Sequence, residues 1–526
     1  MFYTSEVAAQ SQGKHKLHRF PAPVRGLIRN ENIALTQPGG ALVLENWFPT
    51  STGIRTRRGI RKHATLDGTG AVGAVMPYEG SGISNLFASN DAGIYDITTV
   101  ADPDTPITAE SGIGTVTSGD FSYIQFATSG GEFLICVNGA NSHKVFDGTN
   151  WAENSPAITG TTSSNWSHVW SHQRRVWGVV KNSQNAVYLS VDSIGGAATV
   201  FPLGGTFRLG GSLLFGATWS LDSGEGLDDL CVFVSSNGEV AVYAGDDPTT
   251  WALQGTYKIG RPLGKNASFR AGGDLMIATD DGLVSMTAAL RNAREALREL
   301  AVSYPIEELW LAQTASRGAQ AWQCETWPLK QMLVVATPTY GGAPAQVLVA
   351  NTRTGAWSVF TAWDCRGMAP FGNQFFFGTS SSVVYEAESG ASDDGANYTC
   401  KAAGLFDDIK SPALQKVMTL IRGIFQSNYT RIDPLFSASV DFQTAWPADP
   451  SPSAEPSGSG LWGSSTWGDF VWGGSSSRTR YTDWHSIEGV GFSISWQLQV
   501  TLGNVVPPDI ELAAIDLVYE RGEAVA

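Results

Sequence analysis

At 526 residues, with 16% charged side chains, 59 glycines and 18 tryptophans, the chain suits short strands joined by tight turns and excludes a disordered or helix-dominated protein. The formal charge is −15, and residues 1–63 hold ten Lys/Arg against three acids, which leaves the remainder near −22. Such an acidic body excludes a nucleic-acid binder that grips phosphates, because grip requires cationic neutralisation.

Residues 1–50 begin as a basic, proline-punctuated arm (KHKLHRFPAPVRGL), expected to be an interaction strap or linker. Within it Leu42–Leu44 reads as a short strand and Asn46–Pro49 as a turn, and just beyond it Ile54–Arg58 reads as a basic edge strand. The cluster Arg55, Arg57, Arg58, Arg61 and Lys62 has two readings of equal weight, a solvated strand face or a contact site for an acidic neighbouring subunit.

Over residues 51–390 one unit recurs: an apolar run, an Asn/Asp/Ser-Gly turn, and an apolar run ending in an aromatic. Its fullest copy is Asp228–Lys265, with the Asn237-Gly238 turn between Leu230–Val234 and Val240–Tyr243 and a third run from Trp251 to Ile259. Asn-Gly between β-branched runs is the strongest short hairpin signal. Other copies are Ser84–Ile97, Gly131–Trp151, Arg174–Val191, Asp274–Met286, Gln346–Trp357 and Phe371–Tyr385. Most gaps are roughly 40–55 residues, near the blade length of propeller repeats. Six or so units suggest a β-propeller, with a stacked sandwich as the rival. Thr287–Leu300 breaks the pattern, because Leu290, Ala293, Leu297 and Leu300 form a stripe of period 3.6; an amphipathic helix with a second turn at Ile306–Ala315 gives a helical insertion at about 287–315.

Residues 391–526 read as a separate β-sandwich or barrel, with strands at Gly491–Leu502 and Ile510–Tyr519. Inside it 448–477 is a Gly/Ser-rich loop carrying Trp462, Trp467 and Trp472. A spacing of five cannot keep three rings on one strand face. They either pack the loop onto its own domain or form a tip for docking. The expected class is therefore all-β: a propeller-like body of short antiparallel meanders, a small helical insertion and a C-terminal β-rich domain.

Chemistry is sparse. Gly68–Gly73 matches G-x-G-x-x-G formally, but Pro77 follows closely and no βαβ period appears, so it reads as a glycine-rich turn. GRPLGKN at Gly260–Asn266 is a residue short of a phosphate loop and lacks its Ser/Thr. His168 and His172 could share a face, but no third zinc ligand stands at a recognisable spacing. The acid pairs Asp228-Asp229, Asp280-Asp281 and Asp393-Asp394 read as turn residues rather than glycosidase carboxylates. The five cysteines are far apart and sit in apolar runs, as reduced core thiols do. Met1–Gln10 lacks an apolar signal core, and no stretch approaches the ~20 apolar residues of a membrane helix. A soluble, cytoplasmically folded, non-enzymatic protein without cofactor or metal is expected.

Several phrases, in order along most of the chain, resemble the tail nozzle (tail tubular, or hub) proteins of short-tailed bacteriophages and prophages. They are ENWFPTSTGIRTRRG at Glu45–Gly59, VYLSVDSIGGAATVFPLGG at Val187–Gly205, the central VFVSSNGEVAVYAGDDPTTWALQGTYKIGRPLG, NTRTGAWSVF at Asn351–Phe360, FFFGTSSSVVYEAESGASDDG at Phe375–Gly395, and the terminal IDLVYERG. The resemblance implies a virion structural protein, made in the bacterial host cytoplasm and assembled as a homo-oligomeric ring, a hexamer. The ring would dock to the head-tail adaptor, form the distal end of the DNA-ejection channel, and carry tail fibres or a needle or plug. DNA would pass its lumen without specific binding, and its tip could touch the host surface. No active-site residue is transferred. The alternative is a receptor- or glycan-binding, or glycan-cleaving, phage propeller; a head-completion or baseplate component is a third reading.

Overall fold

The computed structural model describes residues 15–30, 39–222, 227–318, 321–339, 344–429, 432–443, 446, 478–503 and 506–524. They form two compact units: Ile60–Gly390, and a second unit that joins Met1–Gly59 to Ala391–Ala526.

The first unit is a β-propeller with seven blades among the described residues. Blade one is Ala74–Gly80, Ile83–Asn90 and Gly93–Asp96, and blade two Ser122–Thr128, Gly131–Val137, Lys144–Phe146 and Trp151–Glu153. Blade three follows with Trp166–His172, Arg175–Val180, Asn185–Tyr188 and Thr199–Pro202; blade four with Leu213–Asp222, Leu227–Ser235, Glu239–Ala244 and Ala252–Lys258. Blade five has three strands, Ser268–Ala271, Asp274–Thr279 and Gly282–Ser285, and helices follow where a fourth strand would come. Blade six is Gln323–Trp327, Met332–Thr337, Gln346–Asn351 and Trp357–Thr361. Blade seven takes Met368–Phe371, Gln374–Gly378 and Val383–Gly390 from one end of the unit and Gly59–Leu66 from the other, which closes the ring. The first strand of blade seven packs beside the first strand of blade one.

Each blade is a meander because its sequence alternates turn residues with β-branched and aromatic runs. In blade four the hairpin loop closes when Gly238 N–H donates to Ser235 O (3.2 Å), and Gly238 takes φ +83°. Only the glycine is left-handed there, and Ser236 lengthens the Asn237-Gly238 turn to a three-residue loop.

The helical insertion is not one helix. Met286–Arg291 is capped by Ser285, whose hydroxyl accepts from Ala288 N, and the chain turns extended at Asn292 before Arg294–Leu300 begins. A longer helix, Glu307–Arg317, follows. The break rotates the expected stripe apart: Leu297 is buried, Ala293 is exposed, and Leu300 is 51% exposed.

In the second unit, one sheet runs Trp47–Pro49, Ile54–Thr56, Ile510–Ala524, Leu414–Ser427, Arg478–Tyr481; His15–Pro21 pairs with Ile510–Ala524 and His485–Gly491 with Leu414–Ser427. Another places Ala41–Glu45, Tyr398–Gly404, Ile494–Leu502 and Leu435–Val440 side by side. The unit expected for 391–526 is thus built of antiparallel sheets, and the N-terminal segment belongs to it. The described part of 1–50 is therefore strand rather than strap, and the propeller begins at 60 rather than 51. The cause is apolar: Phe20, Leu27, Leu42, Leu44, Trp47 and Phe48 are all buried, each worth about 1.5–3 kcal/mol out of water. Asn46–Pro49 is a pivot at Asn46 (φ +60°) followed by a strand, and Ile54–Thr56 is flanked on both sides rather than an edge.

All five cysteines are buried and none is joined in a disulfide. Burial pushes the thiols of Cys136, Cys231, Cys324 and Cys365 upward, so the reactive thiolate is suppressed. A thiol reagent is expected to label none of the five in the folded protein and all of them in denaturant; fast labelling of the native chain would contradict this packing.

Candidate functional site

The first strands of the blades converge on the propeller axis and enclose a cavity of about 260 Å³ lined by Tyr123, His168, Lys265, Asn266, Gln323 and Glu325, among others. Blade two supplies Tyr123, blade three His168, the approach to blade five Lys265 and Asn266, and blade six Gln323 and Glu325.

Lys265 spans the axis. Its Nζ donates to Asp120 O (2.8 Å) and Ser167 O (3.2 Å) and pairs with Asp120 Oδ2 (3.0 Å). It also lines a wider recess with Lys181 and Arg261, so it stands between the two spaces. One ammonium satisfying two carbonyls and a carboxylate from other blades is a strut.

Burial disfavours the charged forms of the other groups lining the cavity. The Glu325 carboxyl has its pKa pushed up to about 7 by burial, partly offset by the hydrogen bond from Thr326 N (3.0 Å). The Tyr123 hydroxyl is pushed up by burial, then by the Glu325 carboxylate and Cys136. The His168 imidazole is pulled down to about 3 by burial, then by Lys265. Its Nδ1 is buried with no hydrogen-bond partner among the described residues.

The signs of these shifts oppose each other. The folded pKa of Glu325 lies above its unfolded value of about 4.3, so its contribution is fully present below that value and lost as pH rises through about 7. Glu325→Gln should therefore melt higher than the parent at about pH 8, by the equivalent of up to about 3 kcal/mol, with the gain gone near pH 4. Scanning calorimetry across that range checks it, and a lower melting temperature at pH 8 would contradict it. His168 and His172 act the other way: depressed imidazole pKa values mean stability is lost as pH falls below about 6.5.

His168 and His172 do not form a metal pair. Both lie on Trp166–His172, but His172 meets Thr218 Oγ1 through Nδ1 (3.0 Å) and the edge of Trp251, and burial pulls it down to about 4. Among the described residues no three His, Cys, Asp or Glu are grouped as metal ligands. Gly68–Gly73 lies between two strands with no helix after it. Asp280-Asp281 and Asp393-Asp394 sit at turns as expected, whereas Asp228-Asp229 lies within Leu227–Ser235, where Asp229 Oδ1 accepts from Ser220 Oγ (2.6 Å).

No protein-family model matches the chain, and no curated protein matches it. Among solved structures it is similar to BBS1N in complex with ARL6DN, at 9% identity over 67% of this chain and 99% of that chain, with a TM-score of 0.38. It is similar to the β-propeller domain of Cps50 (Swd1) from Myceliophteria thermophila, at 9% identity over 62% of this chain and 99% of that one, with a TM-score of 0.38. YCF48 bound to D1 peptide matches at 11% identity over 61% and 93%, with a TM-score of 0.35.

The basic cluster separates by unit. Arg57 is fully buried: Nη2 and Nη1 reach Asp393 Oδ2 and Oδ1 at 2.6 and 2.7 Å, Nε reaches Asn46 Oδ1 at 2.8 Å, and the guanidinium lies 4.0 Å from the Tyr398 ring centroid. Burial pulls its pKa down, but Asp393 more than offsets this and leaves it raised. It cannot be both this lock and a partner contact. Arg55 packs over Phe48 in the same unit, which also holds Arg58. Arg61 and Lys62 belong to the propeller, where Arg61 pairs with Glu386 and Lys62 with Asp104 (2.7 Å). Trp462, Trp467 and Trp472 lie outside the described residues.

Tyr123, Lys265 and Glu325 were invisible to motif reasoning, because no spacing connects them. A lone acid in the strand Gln323–Trp327, between Cys324 and Trp327, was the available signal.

Proposed function

We propose that this chain is a virion structural protein that forms the nozzle ring at the distal end of a short-tailed phage's DNA-ejection channel, docked to the head-tail adaptor and carrying fibres or a plug. The observation that carries this reading is the ordered run of nozzle-like phrases, which falls in both structural units, from Glu45–Gly59 to IDLVYERG in Ile510–Ala524. Two features support it. Lys265 bridges opposite walls of the propeller axis, so a duplex whose major groove alone is about 12 Å wide cannot pass there. Any DNA lumen must then lie between protomers, which calls for a closed ring of head-to-tail contacts. The charge near −22 beyond residue 63 suits a wall that a duplex slides past without counterion-release affinity.

Negative-stain imaging of the purified protein with its adaptor is the test. A ring of six around an open lumen is expected; a monomer or trimer with saccharide affinity would replace this reading with the glycan-binding one. Deleting 1–20 should reduce assembly, because Arg19 of that segment pairs with buried Asp516.

A further inference from the structure

We propose that the axial cavity of the propeller is a binding site for a small primary alkylammonium, held by Glu325 and His168 against the Tyr123 ring. Three observations carry it. First, Glu325 lines the cavity and, among the described residues, has a hydrogen bond from Thr326 N but no ion pair. The nearby lysine, Lys265, is committed to Asp120 and two backbone carbonyls. Second, two acceptors of the lining are open: the Glu325 oxygen that Thr326 N does not reach, and His168 Nδ1, buried with no hydrogen-bond partner among the described residues, when Nε2 carries the proton. An ammonium brings three donors and no acceptor. Third, Tyr123 lines the wall, and an aromatic face within reach attracts a cation by about 0.5–2 kcal/mol.

Size and ligand count narrow the class. A cavity of about 260 Å³ is smaller than the ~300–1,000 Å³ of drug-sized sites. A divalent metal would need about six oxygen ligands, and a single carboxylate does not build that shell. A neutral alcohol would leave the carboxylate uncompensated.

Binding is linked to a proton. The groups facing Glu325 are Tyr123 from blade two, His168 from blade three, Lys265 beside blade five with its partner Asp120, and Cys324 on its own strand. Of these Glu325, pushed up to about 7, is the one that titrates near neutrality. The ammonium selects the carboxylate, so below that value it displaces one proton.

Isothermal titration of the full chain with butylammonium chloride, with 1-butanol as the neutral control, tests this. One butylammonium per chain is expected, its affinity falling about tenfold for each pH unit below about 7, with close to one proton released near pH 6. Butanol and the Glu325→Gln protein should show no binding. Absence of heat at millimolar butylammonium, equal binding of butanol, or unchanged binding by Glu325→Gln would each overturn the proposal. The pH dependence and proton release are read on the parent protein, so the outcome does not hang on the variant's folding, nor on whether the chain forms a ring.

Discussion

An Asp393→Ala protein is expected to lose about 3–5 kcal/mol, because it strands the fully buried Arg57 guanidinium without its carboxylate. Asn46 Oδ1, the Arg58 carbonyl (3.0 Å) and the Tyr398 ring also touch the guanidinium, but they are neutral and cannot compensate a whole charge. Urea unfolding followed by intrinsic fluorescence reads the loss as a lower midpoint for the unit that joins Met1–Gly59 to Ala391–Ala526. The double change Arg57→Met/Asp393→Leu should recover most of it, since well-packed apolar pairs often replace buried ion pairs without loss. If the single and double changes cost the same, the deficit comes from packing and not from charge.

Trp177→Ala should be as damaging, at about 3–5 kcal/mol. The Trp177 ring is fully buried, stacks on Trp251 at 4.9 Å and 9°, and lies 4.8 Å from Tyr188 and 5.7 Å from Trp170. Phe233 and Tyr243 of blade four complete the aromatic layer that joins blade three to blade four. Trp177→Phe should cost far less, because the indole N–H it removes has no hydrogen-bond partner among the described residues. A Phe variant as unstable as the Ala variant would mean that the layer depends on exact ring shape more than on buried area.

The repeat was legible because each recurring phrase contains at least one inner strand of its blade. Ser84–Ile97, Gly131–Trp151, Arg174–Val191, Asp228–Lys265, Asp274–Met286, Gln346–Trp357 and Phe371–Tyr385 fall on blades one to seven in turn. Middle strands are buried on both faces and so carry unbroken apolar runs. The flanking strands do not: Ala252–Lys258 is largely exposed, and Trp151–Glu153 has three residues. The blade count was lost there, and at blade seven, whose outer strand comes from the far end of the unit, where no local period can reveal it. Arg57 shows the same limit. Its partner is 336 residues away, so a row of basic residues looked like a surface when one member was fully buried. The channel groups were illegible for a related reason: they become neighbours only when the ring closes.

That closure sets an order of events during synthesis. Gly59–Leu66 leaves the ribosome early, yet its partner Val383–Gly390 follows about 320 residues later, a wait of roughly twenty seconds to a minute at ordinary elongation rates. The segment before it waits longer still, until Ile510–Ala524 is made. The nascent chain therefore holds open strands at its leading end while six blades form behind them, and the propeller shuts before the unit that brackets it.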